Sequence, residues 1–271
     1  VKGLPVPPRT REVDSNKIAV IAMAGRLPGC SNLEEFAQQL FEGHDFVGSL
    51  PLERWTNTGI DCEALTNAQG SFLDSMAEFD AEYFEISARA AAQMDPRQRL
   101  FLEVATETFQ LAGYTREALK GTRTGVFVGA TGNEFADLLG GMGFKPDSHT
   151  FPGVASTILA NRVSHVFDLK GPSAVVDTAC SSSLVAIHRA VRSLQSGECS
   201  MALAGGVNLV LNPYSHEALQ ETGMMSPSGH CHTFGAAADG YVRGECVGAV
   251  LLKPLAEAQR DGDAIQGVIM S

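Results

Sequence analysis

AVVDTACSSSLVAIHRAV, residues 174–191, is the stretch that decides the fold. Residues 174–176 are apolar and mostly β-branched, which predicts a short buried strand, and only small residues occupy positions 178–183. Apolar residues then recur at helical spacing, at Leu184, Ile187, Val191 and Leu194. The stretch therefore predicts a strand, a tight turn and a helix, with Cys180 where the strand meets the helix.

Cys180 is the candidate nucleophile of this turn. A cysteine at this place faces the free N–H groups of the first helical turn, and their partial positive charge favours the thiolate over the thiol. The small side chains around Cys180 leave room for a substrate beside the sulfur. The alternative is a buried, inert cysteine.

The composition is typical of a globular protein with a large core. The 271 residues are 44% apolar and 19% charged. The net charge of −11 argues against nucleic acid as the main partner and against a basic membrane-binding patch. We predict no transmembrane helix, because no long uninterrupted apolar run is present, and no signal peptide, because the N-terminus has no apolar centre.

The cysteines indicate a reducing compartment. They are scattered at positions 30, 62, 180, 199, 231 and 246 without close pairing, which favours reduced thiols and a cytoplasmic location over disulfides. His230, Cys231 and His232 form a cluster that resembles part of a metal site. A second ligand pair at finger-like spacing is missing, so we predict no metal.

Buried strands alternate with helices along the chain, which predicts the α/β class with helices on both faces of a sheet. Residues 1–15 are rich in proline and charge and indicate a linker. The predicted strands are 17–24, 125–129, 174–176, 201–211, 244–253 and 264–271, and the predicted helices are 32–41, 95–114, 151–170, 184–194 and 255–262. Residues 45–95 are expected to be irregular around short helices. The end at Ser271 favours a cut through a fold, because no helix or tail closes the last strand.

Eight stretches, in order along nearly the whole chain, carry a family resemblance. They are IAVIAMAGRLPG (18–29), FDAEYFEIS (79–87), MDPRQRLFLE (94–103), GVFVGA (125–130), ANRVSHVFDLKGPS (160–173), VDTACSSSLVAIH (176–188), ALAGGVNLVL (202–211) and MMSPSGHCHTFGAAADGYVRGE (224–245). With them the chain resembles the ketosynthase (β-ketoacyl synthase) domain of a type I polyketide synthase. The resemblance implies a thiolase-like fold, layered α-β-α-β-α. Residues 16–250 would form its N-terminal lobe, and residues 251–271 the start of a truncated C-terminal lobe.

The resemblance also implies the reaction. An acyl chain passes from the phosphopantetheine arm of an acyl carrier protein to Cys180, whose backbone N–H contributes to the oxyanion hole. A malonyl-type extender then loses carbon dioxide, and its carbanion attacks the acyl thioester. The enzyme would bind no cofactor directly, since the carrier protein brings the phosphopantetheine, and it would be a homodimer. Leu219, Met224 and Met225 fall where the family lines its acyl pocket, although a plain core role remains equally open.

The resemblance also implies two histidines that serve the decarboxylation step, in strings that the family carries after the position of Ser271 and that do not occur in this sequence. His188 cannot replace them, because it lies eight residues after Cys180, about 12 Å along the predicted helix. His165 is expected to be structural, on a packing face, and His216 to lie in a loop. We therefore expect a second polypeptide, or a continuation of the chain, to supply the C-terminal lobe and both histidines.

Smaller departures concern the last of the eight stretches. Gly235 and Cys246 stand where the family usually has aspartate and glycine. Asp239, Arg243 and Glu245 match the family and are predicted to form internal ion pairs and fix loops.

Four functions remain open from the sequence. The first is the N-terminal part of a ketosynthase, an acyltransferase in its first half-reaction. The second is a catalytically silent or assembly half that dimerises, docks carrier proteins or completes a site with a separate polypeptide. A cysteine hydrolase lacks a supporting Cys/His/Asn pattern. A degradative thiolase fits the stretch from Pro227 to Glu245 less well than a synthase does.

Overall fold

The computed structural model describes residues 16–55, 58 and 68–270, so the predicted linker over residues 1–15 lies outside the described part. Helices and strands alternate in this part, as the sequence predicts. The strands are β1 (Ile18–Arg26), β2 (Gly48–Ser49), β3 (Gln69–Ser71), β4 (Thr124–Gly129), β5 (Ser173–Val176), β6 (Met201–Asn208), β7 (Arg243–Gly244), β8 (Cys246–Pro254) and β9 (Gly267–Ile269). The helices are α1 (Leu33–Phe41), α2 (Ala88–Ala92), α3 (Pro96–Leu111), α4 (Arg116–Leu119), α5 (Glu134–Gly141), α6 (Thr150–Val154), α7 (Ile158–Val166), α8 (Ser182–Gln195), α9 (Pro213–Glu221) and α10 (Leu255–Asp261).

Six of these strands form one mixed sheet in the order β5-β4-β6-β8-β1-β9. β4 is parallel to β5 and β6, whereas β8 is antiparallel to both β6 and β1. The chain therefore leaves β1, β4, β5 and β6 at the same edge of the sheet, where β8 also begins. In open α/β sheets, ligands commonly bind beyond the carboxyl ends of the strands, so this edge is where a site is expected.

Helices cover both faces of the sheet. α3 and α7 pack on one face, and α8 packs on the other against β4 and β6. Successive side chains of a strand point to opposite faces, so β6 serves two cores. Leu203 joins the larger core, beneath α3 and α7, with Phe101, whereas Ala202 and Ala204 join the smaller core, beneath α8. Within the described residues, no helix has the length and hydropathy needed to cross a bilayer.

The described residues 251–270 belong to this same layered unit. β8 runs through the boundary predicted between residues 250 and 251 and pairs with β1 and β6 on its two sides. α10 places Ala258 in the larger core, and β9 pairs with β1, with Ile269 opposite Ile18. These residues extend the sheet formed by residues 16–250, and the lobe boundary at residue 250 stays a prediction.

The helix predicted over residues 151–170 is instead two helices. α6 ends at Val154 because Ala155 is extended, with φ −67° and ψ 120°, and α7 begins at Ile158. α6 packs closely against the backbone at Gln93. Only glycine fits at position 153, because a Cβ there would lie 2.0 Å from the Gln93 carbonyl oxygen. Three further helices, α4, α5 and α9, occur where the sequence pattern predicts none.

Candidate active site

Cys180 lies on the turn between β5 and α8, as the sequence predicts. β5 ends at Val176, Ser181 is the N-terminal cap residue of α8, and Cys180 directly precedes this cap. The residue is exposed. The first N–H groups of an α-helix have no partner within the helix, so α8 presents partial positive charge next to the sulfur.

The turn contains a strained backbone conformation immediately before Cys180. Ala179 has φ 54°, in the left-handed region that residues with a Cβ rarely adopt. Asp177 holds this conformation, because its Oδ1 accepts hydrogen bonds from the Ala179 N–H at 3.1 Å and from the Thr131 hydroxyl at 3.1 Å. The same two donors hold the pKa of the Asp177 carboxyl below its usual range, so the group is a carboxylate at neutral pH.

Serine hydroxyls hold the other side of the turn. The Ser182 Oγ accepts a hydrogen bond from the Thr178 N–H at 2.9 Å and donates one to the Ala179 carbonyl at 2.6 Å. The Ser181 hydroxyl donates to the Thr178 carbonyl at 2.9 Å. These two serines therefore fix the backbone around the nucleophile in addition to leaving space beside it.

Two glycines allow the first turn of α8 to approach the sheet. A Cβ on Gly129, the last residue of β4, would lie 2.4 Å from the Ser183 backbone nitrogen. A Cβ on Gly206 in β6 would lie 2.8 Å from the Ser183 Cβ. Since real Cβ atoms do not make such contacts, only glycine at these positions permits the observed position of the helix and of Cys180.

A cavity of about 670 Å³ opens at this edge of the sheet and includes Cys180 in its wall. The wall is formed mainly by small and apolar residues from the ends of β1, β4, β6 and β8 and from the start of α8. Leu219, from α9, is also part of the wall. Met224 and Met225 are not part of the wall. Met224 is 50% exposed, and Met225 forms a backbone β-bridge with Tyr241, whereas Tyr241 itself lines the cavity.

Three of the four other described cysteines lie nearest in kind to Cys180 or to the cavity, and their environments differ from that of Cys180. Cys199 is buried, and burial raises the pKa of its thiol. Cys246 lines the same cavity as Cys180, but it is partly buried and burial raises its pKa as well. Cys231 is exposed, and its sulfur accepts a hydrogen bond from the Val242 N–H. Of these cysteines, only Cys180 combines exposure with a helix N-terminus and a cavity.

All seven histidines lie in the described part of the chain, and none of them lines the cavity. His165 and His188 are exposed, so the packing role predicted for His165 is wrong. His216 is not in a loop but in α9, where it is 2% exposed. Burial, with the Arg243 guanidinium, lowers the pKa of His216, and its Nδ1 has no hydrogen-bond partner. Among the described residues, no group of three His, Cys, Asp or Glu is placed to bind a metal ion.

Buried ion pairs fix the loops that surround the cavity, as predicted for Arg243 and Glu245, whereas Asp239 is exposed and accepts a hydrogen bond from the Ser226 hydroxyl at 2.7 Å. The Glu245 carboxylate, whose side chain is fully buried, pairs with Arg54 at 2.7 Å and accepts the Val210 N–H at 2.8 Å. Arg243, in the cavity wall, pairs with Glu134 at 3.4 Å. These pairs tie the cavity wall to α5, to the 3-10 turn at Leu52–Trp55 and to the strand end after β6.

Sequence reasoning missed the role of the residues that support the Cys180 turn. Arg97 is buried against Asp95 and donates to the Thr131 carbonyl at 2.9 Å and to the Gly132 carbonyl at 3.1 Å. The sequence contained a signal for Asp177, because this aspartate directly follows a buried strand and lies three residues before the candidate nucleophile.

Known proteins resemble this chain in both sequence and structure. Residues 15–258 match the family described as "Beta-ketoacyl synthase, N-terminal domain". Polyketide synthase PksM of Bacillus subtilis is 44% identical over 93% of this chain, and polyketide synthase ThaG of Burkholderia thailandensis is 42% identical over 96% of it. The matches cover only 6% and 5% of those two relatives.

Solved ketosynthase structures superpose on most of the chain. The ketosynthase from module 6 of the bacillaene synthase of Bacillus subtilis has a TM-score of 0.83 and 36% identity. The oxazolomycin ketosynthase domain OzmH KS7 of Streptomyces albus has a TM-score of 0.81 and 38% identity. Each match covers 93% of this chain but only 42% and 46% of the respective solved chain. These similarities agree with the resemblance drawn from the eight stretches of sequence.

Proposed function

Since the chain belongs to the β-ketoacyl synthase family, whose N-terminal domain it matches over residues 15–258, we propose that it is the acyl-accepting part of a polyketide synthase ketosynthase. The family and the thiolase-like α/β fold predicted from its motifs are both confirmed. Ketosynthases are condensing enzymes and therefore transferases. The substrates, the individual steps and the partners of this chain are the proposal.

The observation that carries the proposal is the position of Cys180, exposed at the start of α8 in the wall of the cavity. The thiolate attacks the carbonyl carbon of an acyl-phosphopantetheine thioester on an acyl carrier protein. The carbonyl oxygen becomes negative, and the Cys180 backbone N–H stabilises it together with the partial charge of α8. The carbon–sulfur bond to phosphopantetheine then breaks, the freed pantetheine thiolate takes up a proton, and the acyl group remains on Cys180.

The second half-reaction is decarboxylative condensation. A malonyl-type extender loses carbon dioxide, the resulting carbanion attacks the acyl-Cys180 carbonyl, and the cysteine leaves as thiolate. The enolate formed by decarboxylation needs donors placed at its oxygen. Because none of the seven histidines in the described part lines the cavity, we propose that groups outside these residues supply the donors. They would come with a C-terminal lobe, on the same polypeptide or on a second one.

Leu219 is proposed to contact the acyl chain, because it forms part of the apolar wall of the cavity that contains Cys180. The described positions of Met224 and Met225 give them no such contact in this conformation. Cys246, on β8, lies in the same wall as Leu219 and narrows the space that the family's usual glycine would leave. No directly bound cofactor is required, since the phosphopantetheine arrives on the carrier protein.

The proposed assembly is a homodimer in the cytoplasm. β5 is the edge strand of the six-stranded sheet, and among the described strands it pairs only with β4. An unpaired edge strand offers backbone groups to a second copy, and β5 leads directly into the Cys180 turn. The five described cysteines, Cys30, Cys180, Cys199, Cys231 and Cys246, are free thiols, and the reaction requires Cys180 reduced. A reducing cytoplasm meets that requirement.

A condensation assay on the synthase that carries this chain tests the proposal. Primed acyl carrier protein and malonyl carrier protein are supplied, and carbon dioxide release and the β-ketoacyl product are measured by mass spectrometry. We expect product with the wild type and with Cys231→Ala, and none with Cys180→Ala. Acylation of Cys180 without any condensation would support the acyl-accepting step and contradict the condensation step, whereas neither acylation nor condensation would support the assembly function instead. Equal product from wild type and Cys180→Ala would refute the proposal.

A further inference from the structure

We propose that Asp177 is a positioning residue for Cys180: its carboxylate holds Ala179 in the left-handed conformation that presents the sulfur to the cavity. The inference rests on the proposed function, in which Cys180 is the group that accepts the acyl chain. Asp177 is not proposed to touch the sulfur or a substrate. It acts through Ala179 and Thr131.

The need for such a residue comes from Ala179. An L-residue with a Cβ in the left-handed region is strained, and such strain persists only where the surrounding contacts hold it. Ala179 directly precedes Cys180, so rotation of Ala179 towards an ordinary conformation would turn the Cys180 Cα–Cβ bond away from its observed direction. Asp177 opposes this rotation because its Oδ1 accepts the Ala179 N–H at 3.1 Å.

Asp177 is in turn held by the loop that follows β4. The Thr131 hydroxyl donates to the Asp177 Oδ1 at 3.1 Å. Arg97 fixes that loop by donating hydrogen bonds to the Thr131 and Gly132 carbonyls. The Asp95 carboxylate accepts further hydrogen bonds of 2.6–3.1 Å from the same guanidinium and so fixes its position. A contiguous set of hydrogen bonds thus runs from the first turn of α3 to the residue before the nucleophile.

The charges around Asp177 suit this role. Both Ala179 and Thr131 donate hydrogen bonds to it, and Arg97 contributes positive charge nearby. A carboxylate can only accept hydrogen bonds, whereas a protonated carboxyl group could also donate one. The direction of both hydrogen bonds to Asp177 is therefore fixed. On the other side of the turn, Ser182 accepts from Thr178 and donates to the Ala179 carbonyl. Asp177 and Ser182 therefore restrain the peptide groups on both sides of the Ala179 Cα.

The chain contains a matched control for this aspartate. Asp147 also accepts a hydrogen bond from the backbone N–H two residues later, with its Oδ1 2.8 Å from the His149 nitrogen. Hydrogen bonds from Gln93 and from this N–H hold the pKa of Asp147 at about 2. Asp147 does not line the cavity. Replacement of either aspartate by alanine removes the same local motif, but only Asp177 adjoins the nucleophile turn.

The experiment measures alkylation rates by iodoacetamide at each cysteine with peptide mass spectrometry, using exposed Cys231 as the internal standard. For Asp177→Ala we expect the Cys180-to-Cys231 rate ratio to fall roughly ten- to a hundredfold, which is the loss expected for a hydrogen bond to a charged group. Asp177→Asn keeps an oxygen acceptor and should recover most of the ratio, and Asp147→Ala should leave it unchanged. Combining Asp177→Ala with Ala179→Gly should also recover part of it, because glycine adopts the left-handed conformation without strain.

A ratio in folded Asp177→Ala that stays within about twofold of the wild type would overturn the proposal, since twofold is below the effect of one hydrogen bond. An equal loss in Asp147→Ala would also overturn it, because the effect would then be general destabilisation. If Asp177→Ala fails to fold, Thr131→Val provides the test, because it removes the hydroxyl that donates to Asp177. A severalfold loss in the Cys180-to-Cys231 rate ratio supports the proposal, and an unchanged ratio refutes it. If wild-type Cys180 is alkylated but never acylated, the proposed function fails, while the alkylation ratios still decide the role of Asp177.

Discussion

Replacement of Gly129 by alanine is predicted to impair Cys180 by moving the helix that carries it. The new Cβ would lie 2.4 Å from the Ser183 nitrogen, whereas ordinary contact begins near 3.4 Å. The first turn of α8 would have to retreat by about 1 Å, the difference between these two distances. The atoms in its way belong to the backbone, so rotation of a side chain cannot relieve the contact.

Two quantities should change together in Gly129→Ala. Overpacking of a tight interface costs about 1–3 kcal/mol of unfolding free energy. A displacement of this size at a reacting group lowers the rate on the order of a hundredfold. The acyl transfer rate to Cys180 is measured by quenched-flow mass spectrometry with a short acyl thioester, and the unfolding free energy by urea denaturation.

Gly267→Ala is the control for Gly129→Ala. Gly267 lies in β9 of the same sheet, and a Cβ at this position meets nothing within 4 Å, so the acyl transfer rate should not change. The reasoning would be refuted if Gly129→Ala kept both the wild-type acyl transfer rate and the wild-type unfolding free energy. A loss of stability with an unchanged rate would show that α8 yields without moving Cys180.

Three further predictions concern groups around the cavity. Iodoacetamide at near-neutral pH should modify Cys180 well before Cys199, because burial raises the pKa of the Cys199 thiol; modification of Cys199 first would contradict this. The folded-state pKa of His216 lies below its ordinary value of 6.5, so the unfolded chain binds more protons and stability should fall as the pH drops below about 6.5. His216→Gln should show a shallower loss in urea denaturation at several pH values, and an identical pH slope would refute that role. Glu245→Gln should lose about 3–5 kcal/mol of unfolding free energy, because it leaves the Arg54 charge without its buried partner; a loss below about 1 kcal/mol would contradict this.

The parts of the site that depend on local sequence were predictable. The strand, turn and helix around Cys180 follow from side-chain size and apolar spacing within one stretch, and the structure confirms them. The left-handed Ala179 was not predictable in this way. Asp177, which holds Ala179, is itself held by Thr131, 46 residues away in the chain, and this support exists only once β4 and β5 are paired.

The errors also have identifiable physical causes. The helix predicted over residues 151–170 is interrupted because Ala155 is extended, and Gly153 packs against the Gln93 carbonyl, a tertiary contact that apolar spacing does not reveal. By contrast, the start of α9 had a local signal. The Asn212 side chain caps it, Pro213 occupies its first turn, and this pair would have placed His216 on a helix rather than in a loop.

The boundary at residue 250 stays a prediction. Composition does not distinguish a strand that closes one sheet from a strand that opens the next. Strand pairing adds what composition lacks: β8 pairs with both β1 and β6.

The central claim is that Cys180 accepts the acyl chain, and mapping the acyl adduct tests it most directly. The protein is incubated with an acyl-phosphopantetheine thioester, digested and analysed by peptide mass spectrometry without reducing agent. We predict a single major adduct, one acyl group on the peptide that contains Cys180, and its loss in Cys180→Ala but not in Cys231→Ala. An adduct on Cys231 or Cys246 with Cys180 unmodified would contradict the claim.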